Sequence, residues 1–106
     1  MNDLLPLKFL SATVTLGCNR EGWNLLEVDS DQPRVFEEEV VFQTPFAVPP
    51  VVLAALAGFD LDHHTNARVR VRPIDITPTG FRIQITTWHD TRVWSVDVAW
   101  TALGSA

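Results

Sequence analysis

The chain is short of several features that would have settled its class at once. It holds a single cysteine, Cys18, in 106 residues, so no disulfide closes within it and its core must hold without staples. One cysteine leaves the redox compartment open. No apolar run approaches the ~20 residues needed to span a bilayer, which argues against membrane insertion. The start, Met1-Asn2-Asp3-Leu4-Leu5-Pro6, lacks a basic n-region and a long h-region. No secretory signal is therefore expected, and the chain reads as soluble, either cytoplasmic or released by a non-signal route. Internal repeats, low-complexity tracts and linkers are missing. So are a nucleophile motif, a Gly-rich phosphate loop and a Cys-His ligand set, so nothing supports an enzyme and no cofactor is expected.

Positive charge is also scarce: the formal charge is −5, and the pI is near 4.9. That argues against a nucleic-acid binder, whose affinity depends on neutralising phosphates. The few basic residues are uneven, however. Arg68, Arg70, Arg72, Arg82 and Arg92 lie in the second half, while Glu37, Glu38 and Glu39 sit in the first.

What is present is a period of two, the mark of half-buried strands. Residues 10–16 alternate apolar and hydroxylic side chains. Phe36, Val40 and Phe42 share a face opposite Glu37, Glu39 and Gln43. Phe81, Ile83, Ile85 and Thr87 alternate with Arg82, Gln84, Thr86 and Trp88, and Trp94, Val96, Val98 and Trp100 with Ser95, Asp97, Ala99 and Thr101. Residues 51–59 are apolar on both faces, which suits a buried helix or a strand covered on both sides; Pro49-Pro50, the β-branched pair and Gly58 favour the strand. Val69 and Val71 alternate with Arg68, Arg70 and Arg72, and Pro73 then marks a bulge or an edge. Thr77-Pro78-Thr79-Gly80 suits a type I turn, and residues 89–92 read as a short hairpin loop. Five to seven strands at roughly ten-residue spacing predict an all-β antiparallel sandwich. It forms one domain over residues 1–106, with residues 1–7 as an N-terminal extension.

Trp88 is the informative residue. Its strand turns Phe81, Ile83 and Ile85 inward, so parity sends Trp88 to the polar face at the strand's end. Trp94 and Trp100 read as core tryptophans. For Trp88, parity alone leaves two readings, a packed indole and an exposed platform, whose flat apolar face and single N–H donor suit the C–H patch of a galactose-like ring. His89 taken alone reads as a solvated loop residue; beside a platform it becomes a donor or acceptor for a sugar substituent. Arg68, Arg70 and Arg72 read either as a solvated stripe or as guanidiniums able to fork across two hydroxyls. His63-His64 with Asp60 and Asp62 are too close in sequence to favour a metal site, since neighbouring side chains would have to fold back onto one ion. Glu37-Glu38-Glu39 reads as a solvated flank. Nothing specifies the facing carboxylate pair of a glycosidase.

An ordered set of landmarks runs from about Ser11 to Gly104. It comprises Gly22-Trp23, Phe42-Gln43-Thr44-Pro45-Phe46, Pro49-Pro50-Val51-Val52-Leu53, Asn66-Ala67-Arg68-Val69, Pro78-Thr79-Gly80-Phe81, Thr87-Trp88-His89-Asp90-Thr91 and Trp100. By these the chain resembles the H-type lectin family, which includes snail agglutinins and the C-terminal domain of slime-mould discoidins. The resemblance implies a six-stranded antiparallel sandwich, a homotrimer, and a site between protomers for galactose or N-acetylgalactosamine. It assigns Arg68 to ring hydroxyls, Trp88 to stacking and His89 to the acetamido side. Leu16 and Ile85 stand where snail agglutinins close a disulfide. The loop supplying the family's facing carboxylate is shorter here, with Asp31 as first candidate and Asp29 as second. The runner-up function is a trimeric structural or cell-adhesion module with a weak or vestigial sugar pocket.

Overall fold

Alternating patterns become strands because each one buries a single row of side chains and leaves the other row to solvent. The computed structural model describes residues 6–28 and 32–106. It holds six strands: β1 (Leu7–Gly17), β2 (Arg34–Val41), β3 (Val51–Leu61), β4 (Arg70–Thr77), β5 (Gly80–Thr87) and β6 (Val93–Ser105). They form two three-stranded antiparallel sheets, ordered β1-β6-β3 and β2-β5-β4. This is the expected all-β sandwich. Among the described residues no helix is long and apolar enough to cross a membrane.

The core lies between the sheets. Leu16, Val96 and Val98 from the first sheet meet Phe36, Phe81, Ile83 and Ile85 from the second, with Leu25 and Val93 contributed near the loops. Leu16 and Ile85 are both fully buried, in facing sheets. The first sheet is longer than the second, and the overhang is capped on its inner face by the 42–50 segment. Phe46 and Pro50 lie against Gly104 so closely that an added Cβ there would sit 3.1 Å from each. Phe42, Phe81 and Trp100 complete an aromatic cluster at that end, so the core reading of Trp100 holds. The principal extents of the molecule are 54 × 24 × 20 Å.

Five expectations need correction. Residues 51–59 form a strand, but it is covered on one side only: Val51 and Leu53 remain 66% and 68% exposed. Trp94 is not core, being 48% exposed. Asp60 pairs with Ser95 and Leu61 with Val93, so β6 carries an extra residue at Trp94, and this bulge breaks the parity that placed the indole inside. Residues 89–92 are not a hairpin loop, because β5 and β6 belong to different sheets; they carry the chain across the sandwich. Leu7 is no extension residue, since it already pairs with Ser105. Arg68 precedes β4, which begins at Arg70. The position of Pro73 is as expected: β4 is an edge strand, with an irregularity between Ile74 and Thr77.

Candidate functional site

The crossing between sheets gathers the predicted residues at one end of the sandwich. Trp88 follows directly on β5 and is half-buried; His89 and Asp90 are exposed. His89 has φ 55°, the left-handed region that few non-glycine residues enter. Its backbone is held there from outside. Arg34, 8% exposed at the start of β2, donates from Nη2 to the carbonyls of His89 (2.9 Å) and Thr91 (2.8 Å). Its Nη1 donates to the carbonyl of Leu25 at 3.1 Å and also to that of Glu27. One buried guanidinium thus joins the sheet crossing to the loop that precedes β2.

Arg68 reaches the same crossing from the other side. Its Nη1 donates to Asp90 Oδ1 at 2.8 Å and to Thr91 Oγ1 at 3.0 Å. The Thr91 hydroxyl in turn donates to the Asn66 carbonyl at 2.7 Å, and the Thr87 hydroxyl to the Arg68 carbonyl at 2.5 Å. Thr87 and Thr91 are fully buried. The Arg68 side chain is 22% exposed, so its head is fixed yet still reaches solvent; Asp90 is 64% exposed. Five guanidinium N–H groups in a fixed fork leave donors for a ligand after these two bonds.

The Arg70 guanidinium carbon lies 5.2 Å from the Trp88 ring centroid. A cation over an indole at an exposed site contributes only about 0.5–1 kcal/mol. A ring with its own apolar face can therefore displace it.

The structure thus brings Arg68, Trp88 and His89 to one corner. Asp31 and Asp29 lie outside the described residues. Sequence reasoning missed Arg34, although parity signals it: Arg34 shares the inward face of β2 with Phe36 and Val40. It also gave no role to Asp90 and Thr91, which only tertiary contact with Arg68 reveals.

The expectation for residues 60–64 changes in detail. Ligand-capable atoms of Asp62, His63 and His64 do converge, within 4.8 Å of one another. Two of them are paired with each other, with His64 Nδ1 2.8 Å from Asp62 Oδ1 and the His64 amide 2.9 Å from the same oxygen. That amide first, and the ring second, hold the Asp62 carboxyl below the usual carboxylate range. A separate cleft of about 290 Å³ opens at the far end of β5, between Glu39, Asp75, Thr77 and Arg82. It is remote from Trp88.

Comparison with known proteins gives the family and the fold. The family model described as the H-type lectin domain matches residues 37–103, more than half of the chain. A relative from Fuscovulum blasticum, "ATP synthase subunits region ORF 7", is 42% identical over 73 residues, covering 69% of this chain and 64% of the relative. The match thus spans less than two-thirds of that relative's length. Among solved structures, wild-type discoidin II from Dictyostelium discoideum superposes with a TM-score of 0.78 at 19% identity, over 95% of this chain and 38% of that one. A structure of recombinant discoidin II from the same organism gives 0.77 at 19% identity, over 94% and 38%. At that identity the likeness concerns the fold.

Proposed function

This chain belongs to the H-type lectin domain family, and on that premise we propose that it binds carbohydrate, taking a galactose or N-acetylgalactosamine residue at the Trp88 corner. The observation that carries the reading is the fixing of Arg68 by Asp90 and Thr91, two residues of the segment that presents Trp88 and His89. A guanidinium held in place loses little entropy on binding and donates to ring hydroxyls in a defined direction. The Trp88 indole offers the apolar face for the sugar's C–H patch, displacing Arg70 as it does so. His89 takes the acetamido side. The facing carboxylate is Asp31, or Asp29 in its place. Arg34 supports this, because it links the Glu27 carbonyl, just before that segment, to the His89 carbonyl.

The site lies between protomers of a homotrimer. Support for the assembly comes from the outer face of the β1-β6-β3 sheet, where Phe9, Leu103 and Val51 stand in one row across three strands at the end of β6 away from Trp88, with Leu7 and Leu53 beside them. All five are exposed in the single chain, a contiguous apolar surface of the kind that marks protein contact. Three weak sites on one assembly add avidity, and the protein acts by binding, not turnover.

The test is a glycan-binding series of galactose, N-acetylgalactosamine and glucose. Galacto sugars should bind and Trp88→Ala should abolish the signal; binding that survives this change rules out the platform. One observation favours a second reading, a structural or adhesion module with a weak pocket: Arg70 rests on the indole that a sugar would need. A trimer whose melting temperature moves with no sugar of a millimolar panel would establish it.

A further inference from the structure

Arg68 has a carboxylate partner in Asp90. Among the described residues no carboxylate lies within 4.0 Å of Arg70 or Arg72. Of the acids on this sheet's outer face, Glu37 is engaged elsewhere, and Glu39 stands one row further from Trp88, in register with Arg82. Glu37 accepts from Gln84 Nε2 at 3.1 Å, and Arg82 stands 3.9 Å from both Glu37 and Asp75. Arg70 pairs in register with Thr86 and Arg72 with Gln84, so the strip leading away from Trp88 is cationic on β4 and neutral on β5. Two residues along a strand span about 6.6–6.8 Å, which puts the two guanidiniums within reach of a single bound sugar.

This arrangement opposes the trend of a chain with net charge −5. Charged side chains on an edge strand do discourage strand-to-strand aggregation. That role does not require arginine, nor does it place Arg70 against the indole. Arginine is the residue whose planar fork matches an oxyanion.

We infer that the glycan read at the Trp88 corner carries an anionic group on the sugar next to the stacked one, and that Arg70 and Arg72 bind it. The inference rests on the carbohydrate-binding reading above. When the stacked ring takes the indole face, the Arg70 head is released beside it. It then joins Arg72 in gripping a sulfate or carboxylate, the two groups that share this chemistry.

The experiment measures affinity for three matched disaccharides: one neutral, one sulfated and one carboxylated on the sugar adjoining a terminal galactose or N-acetylgalactosamine. It uses the full chain and its Arg72→Gln variant, at about 20 mM and about 500 mM salt. At least one anionic ligand should bind the wild type roughly tenfold or more tighter than the neutral one. The preference should shrink at high salt and vanish in Arg72→Gln, with neutral binding unchanged. Which anionic ligand gains identifies the group. Equal binding of all three, or an equal loss for all three in Arg72→Gln, overturns the inference while leaving the lectin reading intact. Failure of all three to bind overturns both.

Discussion

Arg34 Nη2 donates to the carbonyl of Thr91 at 2.8 Å, across 57 residues of sequence. This bond and its companions at His89, Leu25 and Glu27 make the sheet crossing a rigid support and not a free loop. Arg34→Ala should destabilise the protein by about 1–3 kcal/mol for the first orphaned buried carbonyl alone. It should also weaken sugar binding, although Arg34 touches no sugar in the proposed site. Arg34→Lys should not rescue it, because one ammonium cannot serve carbonyls on both sides of a planar fork. Thermal melts paired with a sugar titration check this; a variant of unchanged stability refutes the role.

Asp90 and Thr91 both fix Arg68, but their surroundings separate the effects of changing them. Thr91 is fully buried, and Thr91→Val removes the donor to the Asn66 carbonyl, a loss of about 1–3 kcal/mol. Asp90 is mostly exposed, and Asp90→Asn should change stability by less than about 0.5 kcal/mol. Both variants should lose sugar affinity. Denaturant unfolding alongside calorimetric titration distinguishes the two columns of this prediction.

The apolar row on the outer sheet predicts assembly. Leu53→Glu would place a charge in the proposed contact, so sedimentation should move from the proposed trimer to monomer with the β spectrum retained. A wild-type chain that sediments as a monomer at every concentration contradicts the trimer.

Asp62 gives a pH dependence with a definite sign. Its folded carboxyl titrates below the usual range because the His64 amide and ring favour the anion. The stabilisation is therefore present above the ordinary carboxylate pKa and is lost as pH falls through the lowered one. Asp62→Asn should melt below wild type near neutrality, by a small margin because the group is exposed. The two curves should merge in acid. A difference that grows as pH falls would show the opposite sign.

Most of the sandwich was legible because parity is a backbone property: Phe36, Ile83, Val96 and Val98 point inward wherever the strands pair. Trp94 was misplaced because a bulge, set by how β6 meets β3, reverses parity locally. The exposure of Val51 and Leu53 was illegible for another reason, since an apolar face reads as buried whether its cover is the same chain or a second copy. At the site, the place of Trp88 on the outer face was legible from parity, while the stacking role proposed for it comes from the ordered landmarks alone. Arg34 went unread although it obeyed the same rule, because a charged residue on an inward face looks like an exception until its four carbonyl partners are seen. Asp90 and Thr91 needed the crossing between sheets, which a sequence pattern read as a hairpin.

The most direct measurement follows the four indole N–H resonances, of Trp23, Trp88, Trp94 and Trp100, while galactose or N-acetylgalactosamine is titrated in. Trp23 is tied to the Val93 carbonyl at 2.9 Å and Trp100 packs on the core, so neither should respond. The account predicts a saturable shift of the Trp88 resonance, absent in Arg68→Ala. A saturable shift confined to another tryptophan, or no shift at any sugar concentration, would contradict it.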